Sequence, residues 1–465
     1  MLMKIVFIFL PVILAPLAAQ AQPDAGLAPA GSQPSPETVP PAEPAPPPAE
    51  AAAPPADPPP SSERGPIVEM PEEDPMPPSG GPGRGEDVDM MRGLQEERFA
   101  RADSTSIGGY GELHYNLVFP EAAGADSEAT IDLHRLVFFF AHNFSEEIRF
   151  YSEVEIEHAF IAGGEDSGEV GVEQAFVDWR LLGDDLGLRA GVILVPMGII
   201  NQWHEPPIFN GVERPSVDRV IIPTTWREAG IGVFGEPAEG LRYEAYLMSG
   251  LDPSGFSAGS GLRGGRQQVL EASTDGPAVA ARIEYEPILG LVGGISGYFN
   301  ESGPNADLGT NCMPDPMTGE PVCEDFDGSV RVVGISADAR LRLAGLEARA
   351  VAAYFSIGDT EPLQSGGIDV ASGLFGWYLE AGYDVLTLVQ SSHQLVPFVR
   401  FEQYDTTFSH SDPTVEGTGA VTDVVFGATY RPIPQLAFKT DLILRNPEPA
   451  DAGDTIFDLG VGWMF

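Results

Sequence analysis

Eight ionisable side chains of both signs lie close together in one segment, and their types and spacing suit the screening of polar solutes. They are His204, Glu205, Glu213, Arg214, Asp218, Arg219, Arg227 and Glu228. Acidic and basic rows that face each other across a narrow passage create a transverse field, which sorts solutes by size and charge. The alternative is that several of these groups only pair with each other or with the structure around them.

The segment that carries these groups, residues 195–228, has the composition of a packed loop. Four prolines exclude a helix or an interior strand and stiffen the chain: Pro206, Pro207, Pro215 and Pro223. Its apolar side chains include Ile199, Trp203, Phe209 and Trp226. Loops of this length inside compact domains are usually functional. We therefore expect this loop to pack against the inside of the fold rather than to extend into solvent.

The elements that must position this loop are short segments with alternating apolar and polar residues, a pattern typical of β-strands that have two different faces. In 147–161 and 278–286 the apolar residues share one face and the charged residues share the other. The whole set is 107–118, 130–142, 147–161, 170–181, 186–195, 226–235, 241–250, 278–286, 290–299, 329–341, 346–357, 374–384, 394–405, 421–431, 435–445 and 455–465.

The connections between these segments alternate in length, and this favours a membrane barrel. Short turns such as 143–146, 183–185 and 342–344 alternate with long connections such as 196–225 and 300–328. Transmembrane barrels combine short periplasmic turns with longer outer loops. The pattern predicts an all-β fold: a transmembrane antiparallel β-barrel of about 16 strands, occupying residues 104–465, with 196–225 as its third outer loop, folded inward.

The charged strand faces predict residues that line a water-filled pore. These residues are Arg149, Glu153, Glu155, Glu157, Arg282 and Glu284. The row of glutamates predicts a stripe that attracts cations, although simple solvation of the lumen explains the same pattern. Two cysteines, Cys312 and Cys323, lie close together in a loop segment, and in an exported protein we expect them to form one local disulfide.

The first hundred residues differ in composition from the barrel. Residues 1–21 have the apolar core and the Ala19-Gln20-Ala21 site of a cleaved signal peptide. Residues 22–103 are rich in Pro and Ala, which predicts a disordered periplasmic segment with a short helix at its end and possible contact with the cell wall. A net charge of −44 argues against nucleic acid as a partner.

The run from Gly191 to Gly235, with His204-Glu-Pro-Pro207, Arg214-Pro215, Asp218-Arg219 and Ile222-Pro-Thr-Thr-Trp226, resembles the porin superfamily that includes the phosphate-selective porins O and P. The resemblance covers residues 107–465. It implies a homotrimer in the bacterial outer membrane, whose third loop narrows the lumen. This chain departs from the phosphate-selective members, which carry lysine and arginine along the pore, because its barrel holds one lysine, Lys439.

The expected function is that of a porin, through which small hydrophilic solutes or ions diffuse passively, with a preference for cations. Outer-membrane lipid and the solutes are the expected partners. The alternative is a structural protein that tethers the envelope through residues 22–103, with the barrel as an anchor. We expect no enzyme, cofactor or metal site, because no nucleophile motif occurs and His114, His134 and His142 lack the spacing of metal ligands. The acidic stretch 163–169 is more typical of a solvated loop than of a Ca²⁺ site.

Overall fold

The computed structural model describes residues 104–122, 124–158, 168–303, 306–314, 321–358, 360–389, 391–410, 420–448 and 453–465. The predictions for the signal peptide and for the Pro-rich segment 22–103 concern residues outside these ranges. Most of the acidic stretch 163–169 also lies outside them.

Sixteen β-strands form one closed antiparallel barrel, in which each strand pairs with its neighbours along the chain and β1 pairs with β18. The barrel strands are β1 Thr105–Pro120, β2 Glu128–Asn143, β3 Ile148–Glu157, β4 Glu169–Arg180, β5 Gly187–Leu194, β6 Arg227–Ala238, β7 Leu241–Met248, β8 Ala278–Ile288, β9 Leu291–Glu301, β12 Arg331–Leu343, β13 Leu346–Gly358, β14 Gly373–Tyr383, β15 Gln394–Ser409, β16 Val421–Ile433, β17 Leu436–Pro447 and β18 Asp454–Met464. The predicted fold class is confirmed, and each of the sixteen predicted segments overlaps one barrel strand.

The two remaining strands, β10 Ala306–Pro314 and β11 Pro321–Gly328, form a separate hairpin in the connection between β9 and β12. The sequence pattern did not predict this hairpin. Short helical segments occur at Val217–Ile221, Pro253–Gly255, Arg263–Gly265, Thr360–Ser365 and Val385–Val389. No helix in the described part of the chain is long and apolar enough to cross a membrane.

The alternation of apolar and polar residues separates the two faces of the barrel wall. On β8, the side chains of Val279 and Ile283 are 48% and 59% exposed on the outer face, whereas Arg282 and Glu284 face inward and are 3% and 8% exposed. Successive residues of a strand point to opposite faces, so a strict two-residue pattern gives an apolar outer surface and a polar interior. An exposed apolar surface of this extent is typical of a lipid-facing wall.

In an antiparallel barrel, the connections that follow the first, third, fifth and every second strand thereafter lie at the same end. These are the long connections of this chain. The connection between β5 and β6 comprises residues 195–226. Most of its residues are buried, and none is fully exposed. We call it the crossing loop.

Candidate functional site

The crossing loop lies inside the barrel, because its contacts are on strands far from the two that carry it. The backbone N–H of Val212 donates to Asp441 on β17 (2.6 Å), and the hydroxyl of Ser216 donates to Asp423 on β16 (3.1 Å). A loop that leaves β5 and returns at β6 reaches β16 and β17 only across the lumen. The predicted inward fold of the third loop is therefore present.

Arginines of the wall hold the backbone of the crossing loop. Arg135 on β2 donates to the carbonyl oxygen of His204 (2.6 Å), and Arg431 on β16 donates to that of Pro207 (3.0 Å). Arg349 on β13 donates to the carbonyl oxygen of Ile208. Prolines leave irregular backbone with carbonyls that no regular structure satisfies, and a charged donor is a strong partner for such a carbonyl when it is buried.

The base of the crossing loop is an apolar core. The ring centroid of Trp226 lies 4.6 Å from that of Tyr298 and 6.2 Å from that of Phe355, and the side chain is fully buried. Ile200 and Ile221 are also 0% exposed. Several apolar side chains and a network of hydrogen bonds thus fix the loop in one position, as a stable constriction requires.

The structure does not arrange the eight predicted constriction residues as two facing rows. His204, Glu205, Asp218, Arg227 and Glu228 are at most 8% exposed, and Glu213, Arg214 and Arg219 are half-buried. None of the eight borders the lumen cavity between the crossing loop and strands β3 to β8. Glu228 accepts hydrogen bonds from Ser249 (2.6 Å) and Gln267 (3.3 Å). This geometry favours the alternative in which these groups hold the loop in place.

Glu213 joins the crossing loop to the first strand. Its carboxylate lies 3.0 Å from the imidazole Nδ1 of His114 and accepts a hydrogen bond from Asn116 (3.3 Å). Burial alone would raise the pKa of Glu213, but the hydrogen bond to His114 and the nearby positive charges together outweigh burial and lower the pKa to about 2. Glu213 is therefore charged at neutral pH and holds the crossing loop to β1.

Asp218 has the opposite environment. Its side chain is 0% exposed on the short helix Val217–Ile221, and neither carboxylate oxygen makes a hydrogen bond of ordinary geometry to a described residue. Burial raises the pKa of Asp218 to about 7, and the Tyr378 hydroxyl offsets this only in part. A neutral carboxyl is therefore the form that this packed position favours.

The lumen retains a cavity of about 950 Å³ between the crossing loop and the wall formed by β3 to β8. Gln202 and Trp203 are the loop residues that border it. The short turns at 145–147 and 183–185 also border it, so it opens toward the rim that carries the short connections. Nine acidic side chains and five arginines line this cavity. The surplus of carboxylates gives it a net negative charge.

The predicted lining residues divide into two groups. Arg149, Arg282 and Glu284 border the cavity. Glu153 and Glu155 face inward but are covered, each 3% exposed, and Glu157 is half-buried. Residues that the sequence interpretation missed complete the lining, among them Tyr151, Gln174, Asp178, Arg189 and Glu244. Their inward positions in the alternating pattern of β3, β4, β5 and β7 were the available signal, which the sequence interpretation did not use.

The cavity wall is a network of paired charges. Asp178 accepts hydrogen bonds from both Arg149 (3.0 Å) and Arg189 (2.7 Å). Arg282 donates to Asp338 (2.6 Å) and Glu284 (3.2 Å). Paired arginines are held against the wall, which leaves the unpaired acids to set the field in the cavity.

The two predicted disulfide residues lie in the hairpin β10–β11. Cys312 and Cys323 are directly opposite each other in the strand register, and Cys323 is disulfide-bonded.

Comparison of the whole chain with known proteins finds a relative in Aquifex aeolicus (strain VF5), described as an uncharacterized protein. It is 35% identical over 377 residues, which cover 77% of this chain and 80% of the relative. This chain belongs to the same family as the Aquifex aeolicus protein. No protein-family model matches this chain.

Solved structures with the same fold come from outer-membrane proteins of low sequence identity. OmpF of Salmonella typhi, in complex with daunomycin, is 13% identical, with a TM-score of 0.51 over 78% of this chain and 98% of that one. A loop-deletion mutant of OmpT, an outer membrane protein of Vibrio cholerae, is 11% identical, with a TM-score of 0.50 over 78% of this chain and 100% of that one. At these identities the likeness establishes the fold.

Proposed function

We propose that this protein is an outer-membrane porin, through which small hydrophilic solutes or ions diffuse passively. One observation carries the proposal: a closed barrel with an apolar outer face encloses a charged cavity beside a loop that crosses its lumen. Closed barrels can cross a membrane because every backbone group is paired within the wall. The outer membrane is where bacterial barrels of this kind occur.

The crossing loop sets the width of the passage. Wall residues from β12 to β18 and on β1 and β2 hold the loop, among them Asp441, Arg431 and Arg135. The remaining path lies beside β3 to β8. Solutes therefore pass through this cavity, which Gln202 and Trp203 of the loop border.

The surplus of acidic groups around the cavity supports a preference for cations over anions. The same proposal includes three further points. They are membership of the superfamily of phosphate-selective porins O and P, a homotrimeric assembly and a cleaved signal peptide. No observation on the described residues favours the tethering alternative.

Electrical recording from planar bilayers tests the proposal. The refolded chain should give stable, ohmic steps in KCl solution without any added ligand, and a salt gradient should give a reversal potential of the sign expected for cation preference. A barrel that inserts but does not conduct would overturn the proposed function. Conductance with anion preference would overturn the selectivity alone.

A further inference from the structure

Three buried side chains from three different segments meet between the crossing loop and the wall. They are Glu153 on β3, Glu173 on β4 and His204 of the crossing loop, each at most 3% exposed. One donor atom from each lies within 4.8 Å of the other two. Carboxylate and imidazole groups are ligand types that transition-metal ions accept.

Two residues of this cluster, His204 and Glu173, have polar atoms that the protein alone does not satisfy. Neither ring nitrogen of His204 makes a hydrogen bond to a described residue, and the Oε1 atom of Glu173 has no partner there. Buried polar atoms normally have partners, because an unsatisfied one is costly in free energy. An ion among these atoms would satisfy both residues at once.

The separation of the donors fits coordination better than direct pairing. The Nε2 atom of His204 lies 3.5 Å from the Oε2 atom of Glu173. Two ligands at about 2.0–2.1 Å from a tetrahedral Zn²⁺ ion are about 3.4 Å apart. A strong hydrogen bond between an imidazolium and a carboxylate would be shorter, at about 2.7–2.9 Å.

Neighbouring groups orient all three ligands. The amide of Gln174 donates to Glu153 (2.8 Å), and the hydroxyl of Tyr110 donates to Glu173 (3.2 Å). Arg135 holds the backbone carbonyl of His204 (2.6 Å), and the imidazole packs edge-to-face against the Tyr110 ring, with the ring centroids 6.0 Å apart. Hydrogen bonds of this kind are the usual support of metal ligands.

We propose that Glu153, Glu173 and His204 bind one divalent first-row transition-metal ion, for which Zn²⁺ is the probe. The ion would join the crossing loop to β3 and β4 at the point where the loop leaves the apolar core. Gln174, which donates to Glu153, also borders the lumen cavity, so one side chain separates the site from that cavity. Binding of the ion does not depend on whether the barrel conducts.

The site is distinct from a second group at the outer rim. There Asp132 lies 2.8 Å from His158 and 3.4 Å from His134, and these side chains are partly or fully exposed. Both imidazole Nδ1 atoms pair with the same oxygen of Asp132, as in an ordinary surface cluster. The rim cluster thus offers a control and is not part of the proposal.

Isothermal titration calorimetry with ZnCl₂ on the chelator-treated, refolded full chain tests the proposal. A variant without the rim cluster, Asp132→Asn/His158→Gln, should keep one Zn²⁺ site per chain. Adding His204→Gln or Glu173→Gln to it should weaken binding at least about 10-fold. Replacing Zn²⁺ by Co²⁺ should give the visible absorption bands of a four-coordinate ion, which His204→Gln should abolish. Excess Mg²⁺ should not compete, because it prefers an all-oxygen octahedral site.

Retention of the tight site in both the His204→Gln and Glu173→Gln variants would overturn the proposal, as would its absence from the rim-cluster variant. Heat-modifiable electrophoretic mobility identifies variants that form the barrel, and His142→Gln supplies the control for loss of a histidine elsewhere. Because the readout is metal binding, failure here leaves the proposed conductance untouched.

Discussion

Arg135 on β2 donates a hydrogen bond of 2.6 Å to the backbone carbonyl oxygen of His204 in the crossing loop. The same guanidinium forms an ion pair of 2.5 Å with Glu112 on β1, and both side chains are buried. One wall residue therefore joins two adjacent strands to the element that narrows the lumen.

Replacing Arg135 by Met should destabilise the barrel by about 3–5 kcal/mol, because the buried carboxylate of Glu112 then loses its guanidinium partner and keeps only the imidazole of His114, 3.1 Å away. Urea unfolding in lipid vesicles measures the change. Arg331→Met is the matched control: Arg331 pairs with Glu301 on the surface, where the two side chains are 51% and 47% exposed. That change should cost about 0–1 kcal/mol. An equal decrease in the free energy of unfolding in the two variants would show that Arg135 does not anchor the loop.

The pH dependence of stability should carry a contribution from Asp218. Its pKa is raised by burial from an ordinary value of 3.8 to about 7 in the folded chain. The folded state thus binds more protons, so the contribution of this carboxyl is fully present below about pH 4 and is lost as pH rises toward 7. The total loss is up to about 4 kcal/mol.

The variant Asp218→Asn removes this titration. Unfolding free energies at pH 5 and pH 8 should differ less in Asp218→Asn than in the unmodified chain, and the variant should gain most at pH 8. Glu236→Gln, on a residue that pairs at the surface with Arg242 (3.3 Å), is the control and should leave the pH dependence unchanged. An identical pH dependence in Asp218→Asn would contradict a neutral buried carboxyl.

Gly198 should tolerate alanine less well than another glycine with the same backbone conformation. Gly198 (φ +67°) lies in the crossing loop, and a Cβ there would come within 2.7 Å of the Ile222 side chain and 3.1 Å of the Asp218 carboxylate. Gly183 (φ +60°) lies in an exposed turn with nothing within 4 Å of its Cβ position. Gly183→Ala should cost about 1–2 kcal/mol from backbone strain alone. Gly198→Ala should cost measurably more in the same unfolding assay, and an equal cost would indicate a loosely packed loop.

Much of this architecture can be predicted from the sequence. The two-residue alternation and the unequal connections predict sixteen strands and the third outer loop, because the membrane outside and the water inside impose opposite demands on alternate residues. The individual roles in the loop are not readable in the same way. Whether Glu213 faces His114 or the cavity depends on irregular backbone held by wall residues more than 90 positions away in sequence, and no local period encodes such contacts.

The same limit on prediction from sequence applies to the hairpin β10–β11 and to the cluster of Glu153, Glu173 and His204. The hairpin sits inside a long connection whose strands are too polar to show the barrel pattern. The three cluster residues come from two strands and a loop, so their spacing along the chain carries no metal-ligand signature.

Acidic residues at the short-turn rim should set the preference for cations. Glu146 and Glu147 border the cavity, and the double variant Glu146→Lys/Glu147→Lys should reduce the cation-to-anion permeability ratio several-fold. Reversal potentials in a KCl gradient measure this ratio. The same charge reversals at Glu121 and Glu128, near the opposite rim and away from the cavity, should change it less. Equal effects would place the selectivity elsewhere.

Solutes should pass beside Gln202 of the crossing loop, whose amide donates to Glu244 on the facing wall. The direct measurement is single-channel conductance of Gln202→Cys before and after a small cationic thiosulfonate reagent is added. Leu270→Cys, whose position in an outer loop is 85% exposed, controls for labelling outside the path. We predict a stepwise fall in conductance for Gln202→Cys and none for Leu270→Cys. Complete labelling of Gln202→Cys with unchanged conductance would contradict the account.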